Sequence, residues 1–305
     1  MNKILFFCTD NIGHNDKCEY YDFIMDDLFS YYEFEEVHMQ SFEEIINYDQ
    51  HVDVFVYKCR DQQNHPWGYV PSYEDILTCV DKFKQKIVIQ YGDEQYYEDL
   101  QNHNHIAKYC DLFLRQFNYS NYEYFNNTIH FPLGYYNKFN YKSKQIKKIE
   151  DRQLDWSFIG CEKSDRRECV DKFLKLKNNY IHLQQDGVPR QISRDELMDI
   201  YFDSIFSPCP RGWTQLEVNR IYESILCGSI PILTCSKDEF DVIFKYHNNP
   251  PFIFTNSWDE SVEICSDLMN NKIKLQILQE KNIIWWKSTI LSIRNEINQI
   301  LTSKF

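Results

Sequence analysis

Residues 206–233 read FSPCPRGWTQLEVNRIYESILCGSIPIL, and the order of residue types in this stretch decides the fold class. An apolar run ends near Pro208, and Gly212 supplies a turn. Thr214 followed three residues later by Glu217 has capping-box spacing, so the sequence predicts a helix that starts there and aims free N–H groups and the positive end of its dipole outward. Such an end favours an anion. Val218, Ile221, Tyr222 and Ile225 recur at i, i+3, i+4 and i+7 and predict a buried stripe, with Leu216, Arg220, Glu223 and Cys227 on a different face. Gly228 suits a left-handed helix end, and Pro231 cannot continue a helix, so SIPIL begins the next strand. The stretch is a β-α-β unit.

The same alternation extends outward in both directions. KILFFCTD (3–10), FEEVHM (34–39), VDVFVYKC (52–59), KIVIQYGDE (86–94), CDLFLRQF (110–117) and TIHFPLGY (128–135) read as strands, with helical patterns over about 20–32 and through 73–85. Residues 137–155, NKFNYKSKQIKKIEDRQLD, are polar, lysine-rich and without apolar periodicity, and read as a linker. The alternation restarts with WSFIGC (156–161), a helix through 166–179, YIHLQQDG (180–187), a helix near 193–204 and IFSPCP (205–210). After SIPIL come PFIF (251–254) and a long helix from about Ser257 to Ser303, broken near Asn270. The expected architecture is α/β, with two parallel-sheet domains over 1–148 and 149–305, the C-terminal helix returning to the first, and a cleft at the carboxyl ends of the strands.

Composition narrows the function. The 305 residues carry 46 acidic and 33 basic side chains, a net charge of −13, which argues against a general nucleic-acid or anionic-membrane binder. An anionic ligand must meet local positive charge, and six of the ten arginines (Arg166, Arg167, Arg190, Arg194, Arg211, Arg220) fall in one stretch of the second half. The 11 cysteines show neither C-x-x-C nor zinc-like spacing and read as reduced thiols. No signal peptide or apolar stretch of about twenty residues is evident, so a soluble, cytoplasmic chain is expected. Ala107 is the single alanine, a bias typical of AT-rich coding sequences such as those of large DNA viruses or some protists.

Arg220 and Glu223 admit two readings. One is a surface ion pair at i, i+3. The other is nucleotide binding, in which the carboxylate accepts from both ribose hydroxyls and the guanidinium, with Arg211 in the Gly212 turn, neutralises a diphosphate.

The Pro-Arg-Gly turn, Arg-x-x-Glu and Gly-x-Ile-Pro of this stretch resemble the signature of exostosin-like glycosyltransferases. DWSFIGCEKSDRRECV, FLRQFNY, FPLGY and QYGDE are similar to elements of the branch that includes ribitol xylosyltransferases and short viral homologues. The resemblance implies a GT-B fold of two Rossmann-like domains with the donor nucleotide held by the C-terminal one. It also implies inverting transfer from a UDP-sugar, UDP-xylose by the branch, to a glycan or glycopeptide. It assigns Glu223 to the ribose, Arg220 and Arg211 to the diphosphate, and the loop with Lys163, Arg166 and Arg167 to the leaving group. Arg166 and Arg167 could equally begin a solvent-facing helix.

No D-x-D motif occurs, so a metal-independent mechanism without cofactor is expected, cationic side chains taking the place of a divalent ion. An inverting transfer needs a base on the acceptor side. Asp93 is the first candidate, then Glu94, then Asp10 at the end of the first strand. Each could instead be a helix cap or a solvated acid. His14 and Arg115 could line the acceptor side, although a lone His or Arg in such a place is more often structural. Competing functions are a catalytically inactive glycan- or nucleotide-binding module and a retaining transferase or phosphorylase of the same fold.

Overall fold

The computed structural model describes residues 3–8, 19–39, 47, 52–58, 77–78, 86–91, 106–118, 125–185, 191–212, 214–245, 247 and 249–303. The chain forms two compact units, Met1–Pro132 with Leu291–Phe305, and Leu133–Ile290.

The first unit contains β1 (Lys3–Cys8), β2 (Phe34–Met39), β3 (Val54–Lys58), β4 (Ile87–Tyr91), β5 (Leu112–Arg115) and β6 (Thr128–His130). All five pairings are parallel, in the order β2-β1-β3-β4-β5-β6. β4 and β5 are buried along their whole length, as continuous apolar strands covered on both faces should be. The helix expected over about 20–32 is shorter: α1 (Tyr21–Phe23) widens into a single π turn (Ile24–Leu28) and ends there. Phe29, which follows its last residue, packs edge-on against Phe34 of β2 at 5.3 Å.

The second unit contains β7 (Leu154–Cys161), β8 (Asn179–Gln184), β9 (Ser204–Pro208), β10 (Ile230–Thr234) and β11 (Ile253–Thr255). Its helices are α2 (Arg166–Phe173), α3 (Arg194–Asp203), α4 (Asn219–Leu226), α5 (Lys237–Ile243) and α6 (Trp258–Met269), with α7 (Lys272–Thr302) starting here and running on into residues of the first unit. The sheet order is β11-β10-β9-β7-β8, parallel throughout. The order reverses between β7 and β9, and in doubly wound sheets the carboxyl ends at that reversal form the ligand crevice. Trp156, Phe158, Phe173, Phe206, Ile232 and Trp258 belong to one buried core. Ser193, Ser236 and Ser257 cap α3, α5 and α6 by accepting from the N–H of the glutamate three residues on.

Several sequence expectations are refined. α4 starts at Asn219, not at Thr214, and its N-cap Val218 makes no side-chain cap bond. Glu217 is the reason: its buried carboxylate accepts from the Leu133 N–H at 3.1 Å and from the Tyr222 hydroxyl, so it does not take part in a capping box. Ile221, Tyr222 and Ile225 are buried as expected, yet Arg220, Glu223 and Leu226 are buried too, so α4 is enclosed on every side and Val218 is half-buried.

Gly228 closes α4 at φ +75°, with its N–H on the Ile225 carbonyl and the Ser229 N–H on the Ser224 carbonyl, a Schellman end. Pro231 then sits in β10 without loss. The Cys209 N–H donates to Ile232, so the polar groups of Pro231 face the opposite edge, where pairing with β11 begins only at Ile232.

The lysine-rich stretch 137–155 is tied to the second unit. Arg152 is buried there and donates to the carbonyls of Tyr201, Ser204 and Cys227 at 3.0, 2.6 and 2.8 Å. Burial lowers its pKa to about 10. Among the described residues no helix is long and apolar enough to cross a membrane.

Candidate functional site

At the reversal point of the second sheet, β7 ends in Ile159-Gly160-Cys161 and α4 follows β9. Arg220, the second residue of α4, is 8% exposed. Its guanidinium lies 4.5 Å from the Phe158 ring centroid, and Nη2 donates to the Ile159 carbonyl at 2.8 Å. Nε and Nη1 are buried and have no hydrogen-bond partner among the described residues. A buried cation with two unsatisfied N–H groups is costly, and an anionic acceptor placed there would remove that cost.

Gly160 permits the close approach of strand and guanidinium. A Cβ at that position would lie 2.8 Å from Arg220 Nη2 and 3.2 Å from Phe158 Cζ. The field of the guanidinium is felt nearby: burial pushes the Cys209 thiol up to about 12, and Arg220 acts in the opposite direction.

Glu223 lies one turn further along α4 and is 3% exposed. Neither it nor Arg220 is a surface residue, so the surface-pair reading fails. The ion-pair partner of Glu223 is Arg194, the first residue of α3, with Nη1 at 3.5 Å from Oε1. Arg194 in turn lies over the Tyr136 ring at 4.7 Å. Sequence reasoning counted Arg194 in the arginine cluster without giving it a role, since nothing local connects it to a residue 29 positions away.

The remaining donor-side candidates divide by neighbour. Arg211 forms a two-pronged pair with Glu239 of α5, with Nη2 to Oε2 at 2.6 Å, and this bond raises its pKa. The Gly212 N–H closes the turn onto the Gln215 carbonyl at 2.9 Å. Arg166 is buried and donates from Nε and Nη2 to the Arg211 carbonyl at 3.2 and 3.0 Å, and from Nη1 to the Cys161 carbonyl at 3.1 Å. It thereby staples the end of β7 to the Arg211 turn. Arg167, next in sequence, points outward to Glu162 through bonds of 2.8 and 2.7 Å. Lys163 lies between β7 and α2. Asp165, just before α2, accepts from Trp258 Nε1 at 2.9 Å and anchors this loop to α6.

A family model described as the RXYLT1 C-terminal domain matches residues 135–305, more than half of the chain. The chain belongs to the RXYLT1 C-terminal domain family. Its matched part contains Arg220, Glu223, Arg194, Gly160 and Arg211 together. No curated protein matches the sequence.

Solved structures similar to this RXYLT1-family chain include an α1,3-fucosyltransferase (12% identity, TM-score 0.55, covering 100% of this chain and 92% of that one). HepE of Anabaena, solved with UDP and glucose, is similar at 10% identity and TM-score 0.53, covering 99% and 100%. T4 phage BGT, solved with UDP and Mn²⁺, is similar at 11% identity and TM-score 0.50, covering 98% and 99%. At these identities the likeness shows the fold, which is α/β of the GT-B glycosyltransferase type.

In the first unit, Arg115 is the last residue of β5 and is fully buried, with Nε 3.5 Å from the Gln116 carbonyl. Asp10, His14, Asp93 and Glu94 lie outside the described residues. By sequence, Asp93 and Glu94 follow the end of β4 at Tyr91, and Asp10 and His14 follow the end of β1 at Cys8.

Proposed function

We propose that this chain transfers a sugar from a UDP-sugar to a hydroxyl of a glycan or glycopeptide, with inversion at the anomeric carbon and without a metal ion. UDP-xylose is the first donor to test, because the resemblance of the sequence points to that branch. The observation that carries the reading is Arg220: a buried cation at the switch point of a parallel sheet, with two buried N–H groups that lack an acceptor among the described residues and the Glu223 carboxylate one turn away. HepE and T4 BGT, which share the fold, have been solved with UDP.

In this reading Glu223 accepts from the ribose hydroxyls, and Arg220 donates Nε and Nη1 to the diphosphate. Arg211 adds charge by sharing its guanidinium between Glu239 and the phosphates, and Arg166 positions that turn through its backbone. Lys163 supplies long-range positive charge from the adjoining loop, and Arg167 from the first turn of α2, where Glu162 offsets part of it. As the bond from the anomeric carbon to the diphosphate breaks, negative charge grows on the leaving oxygen, and fixed cations lower the barrier without reorganising. The acceptor hydroxyl forms the new bond from the opposite face and gives its proton to a carboxylate, Asp93 first, with Glu94 and Asp10 as the alternatives.

The test is a division of labour. Glu223→Ala should abolish detectable UDP binding, whereas Asp93→Asn should bind UDP as the wild type does and lose transfer. Loss of UDP binding in both variants would refute the assignment. Transfer that requires Mn²⁺ and vanishes in EDTA would refute metal independence.

A further inference from the structure

Of the eight large hydrophobic side chains that are exposed among the described residues, four lie on α7: Ile273, Ile277, Ile284 and Leu291, at 76, 46, 65 and 51% exposure. Their spacings of four, seven and seven residues keep them on one face of a helix, with Glu280 and Lys287 at the alternate positions between them. The opposite face of α7 carries the buried Leu275, Trp285, Trp286 and Ile290, so this helix has apolar side chains on two sides, of which one is buried and the other exposed among the described residues. A stripe of this kind on a monomer marks an interaction surface.

The charges beside the stripe identify the occupant. Glu280, Lys281, Lys287 and Ser288 are all exposed and bracket Ile284. A two-fold axis through Ile284, perpendicular to an antiparallel helix pair, sets each residue opposite the one equally far on the other side of Ile284. At about 100° and 1.5 Å per residue, Glu280 and Lys287 fall on the same side of the seam. The axis therefore brings Glu280 of one copy within about 1.5 Å of axial register with Lys287 of the other, twice. It also sets Ile277 against Leu291, twice, and Ile284 against itself. Lys281 lies beside Ser288 on the other edge, level with Lys287 of the other copy but across the seam from it. A face that is self-complementary in both shape class and charge has a second copy of itself as its natural partner.

We propose that α7 mediates an antiparallel homodimer centred on Ile284, with Glu280 and Lys287 exchanging ion pairs across the axis. The contact is one helix pair and so belongs to the small, reversible class of interface.

The experiment is sedimentation of the full chain over a concentration series from about 1 to about 200 μM, the range in which a small interface of this kind associates. The wild type should move from the 37.1 kDa monomer toward twice that mass. Ile284→Glu, which sets two carboxylates face to face on the axis, should remain monomeric, with unchanged melting temperature because the residue is exposed. Glu280→Lys and Lys287→Glu should each be monomeric alone, since each places like charges across the axis. Mixed in equal amounts they should recover the dimer, because every cross-axis pair is then of opposite sign. A wild type that stays monomeric at every concentration would overturn the proposal. So would a dimer untouched by Ile284→Glu, or a failure of the two charge variants to associate with each other.

Discussion

Gly228→Ala is the substitution for which the structure gives the largest worked penalty. Gly228 stands at φ +75°, and a Cβ there would lie 2.6 Å from Arg152 Nη2 and 3.0 Å from Gln279 Nε2, and against Ile146 Cγ2. Adopting the left-handed conformation costs an alanine about 1 kcal/mol. Arg152 cannot move aside cheaply, because the same guanidinium serves the carbonyls of Tyr201, Ser204 and Cys227. Losing one such charged bond costs about 1.5–3 kcal/mol. Gln279 donates to the Gly228 carbonyl itself at 2.8 Å, and displacing it removes a further bond worth about 1 kcal/mol. Overpacking against Ile146 adds about 1 kcal/mol or more. The sum is about 4.5–6 kcal/mol, a large part of the total stability of an ordinary domain. Urea unfolding of the purified variant, followed by circular dichroism, should show a midpoint far below that of the wild type, or the variant should fail to accumulate in soluble form. A loss below about 1 kcal/mol would refute the argument that Arg152 and Gln279 are fixed around this helix end.

The other predictions concern the site and the buried thiols. Gly160→Ala should push the Arg220 guanidinium off the Ile159 carbonyl; UDP affinity should fall about tenfold or more, with a stability loss of only about 1–3 kcal/mol, both read by calorimetric titration and thermal melting. Arg220→Lys should weaken UDP binding nearly as much as Arg220→Ala, because an ammonium cannot keep the Ile159 bond, the Phe158 stack and two further N–H groups at once. Ser257→Ala removes the cap of α6 and should cost about 1 kcal/mol without affecting UDP binding, measured by the same melts. Alkali should unfold the protein early: burial pushes Cys110, Cys209 and Cys235 up to about 12 from an ordinary value of 9.0. Raised thiols favour the folded state fully below the unfolded pKa and lose that contribution as pH climbs toward the folded pKa, about 1.4 kcal/mol per thiol per pH unit. The urea midpoint should therefore drop steeply between about pH 9 and about pH 11 and less steeply in Cys209→Ala; an unchanged slope in that variant would contradict the burial argument.

The strands were legible because parallel strands covered on both faces must be continuous apolar runs, and KIVIQY, SIPIL and WSFIGC contain little else. The break of the C-terminal helix at Asn270 was legible for a local reason as well: Asn271 caps the N–H of Lys274 and opens α7. What sequence could not supply was long-range. The start of α4 was misplaced because Glu217 bonds to a backbone group 84 residues away, a contact invisible to a four-residue motif. Arg166 and Arg167 are adjacent yet meet opposite fates, one stapling two loops and the other facing Glu162 in water, since neighbouring helical residues point about 100° apart. The arrangement that makes Arg220 interesting depends on Phe158 and Gly160, some sixty positions earlier, and only the pairing of β7 with β9 brings them together.

The most direct test of the central claim is titration of UDP into the wild type and Glu223→Gln in EDTA, by calorimetry. Glutamine keeps the size of the side chain but removes the charge that would accept both ribose hydroxyls. The account predicts saturable UDP binding to the wild type without metal and a loss of about tenfold or more in the variant, which should remain folded. Equal UDP affinity in the two proteins would contradict the assignment of Glu223, and no binding to the wild type, with or without Mn²⁺, would contradict the nucleotide site itself.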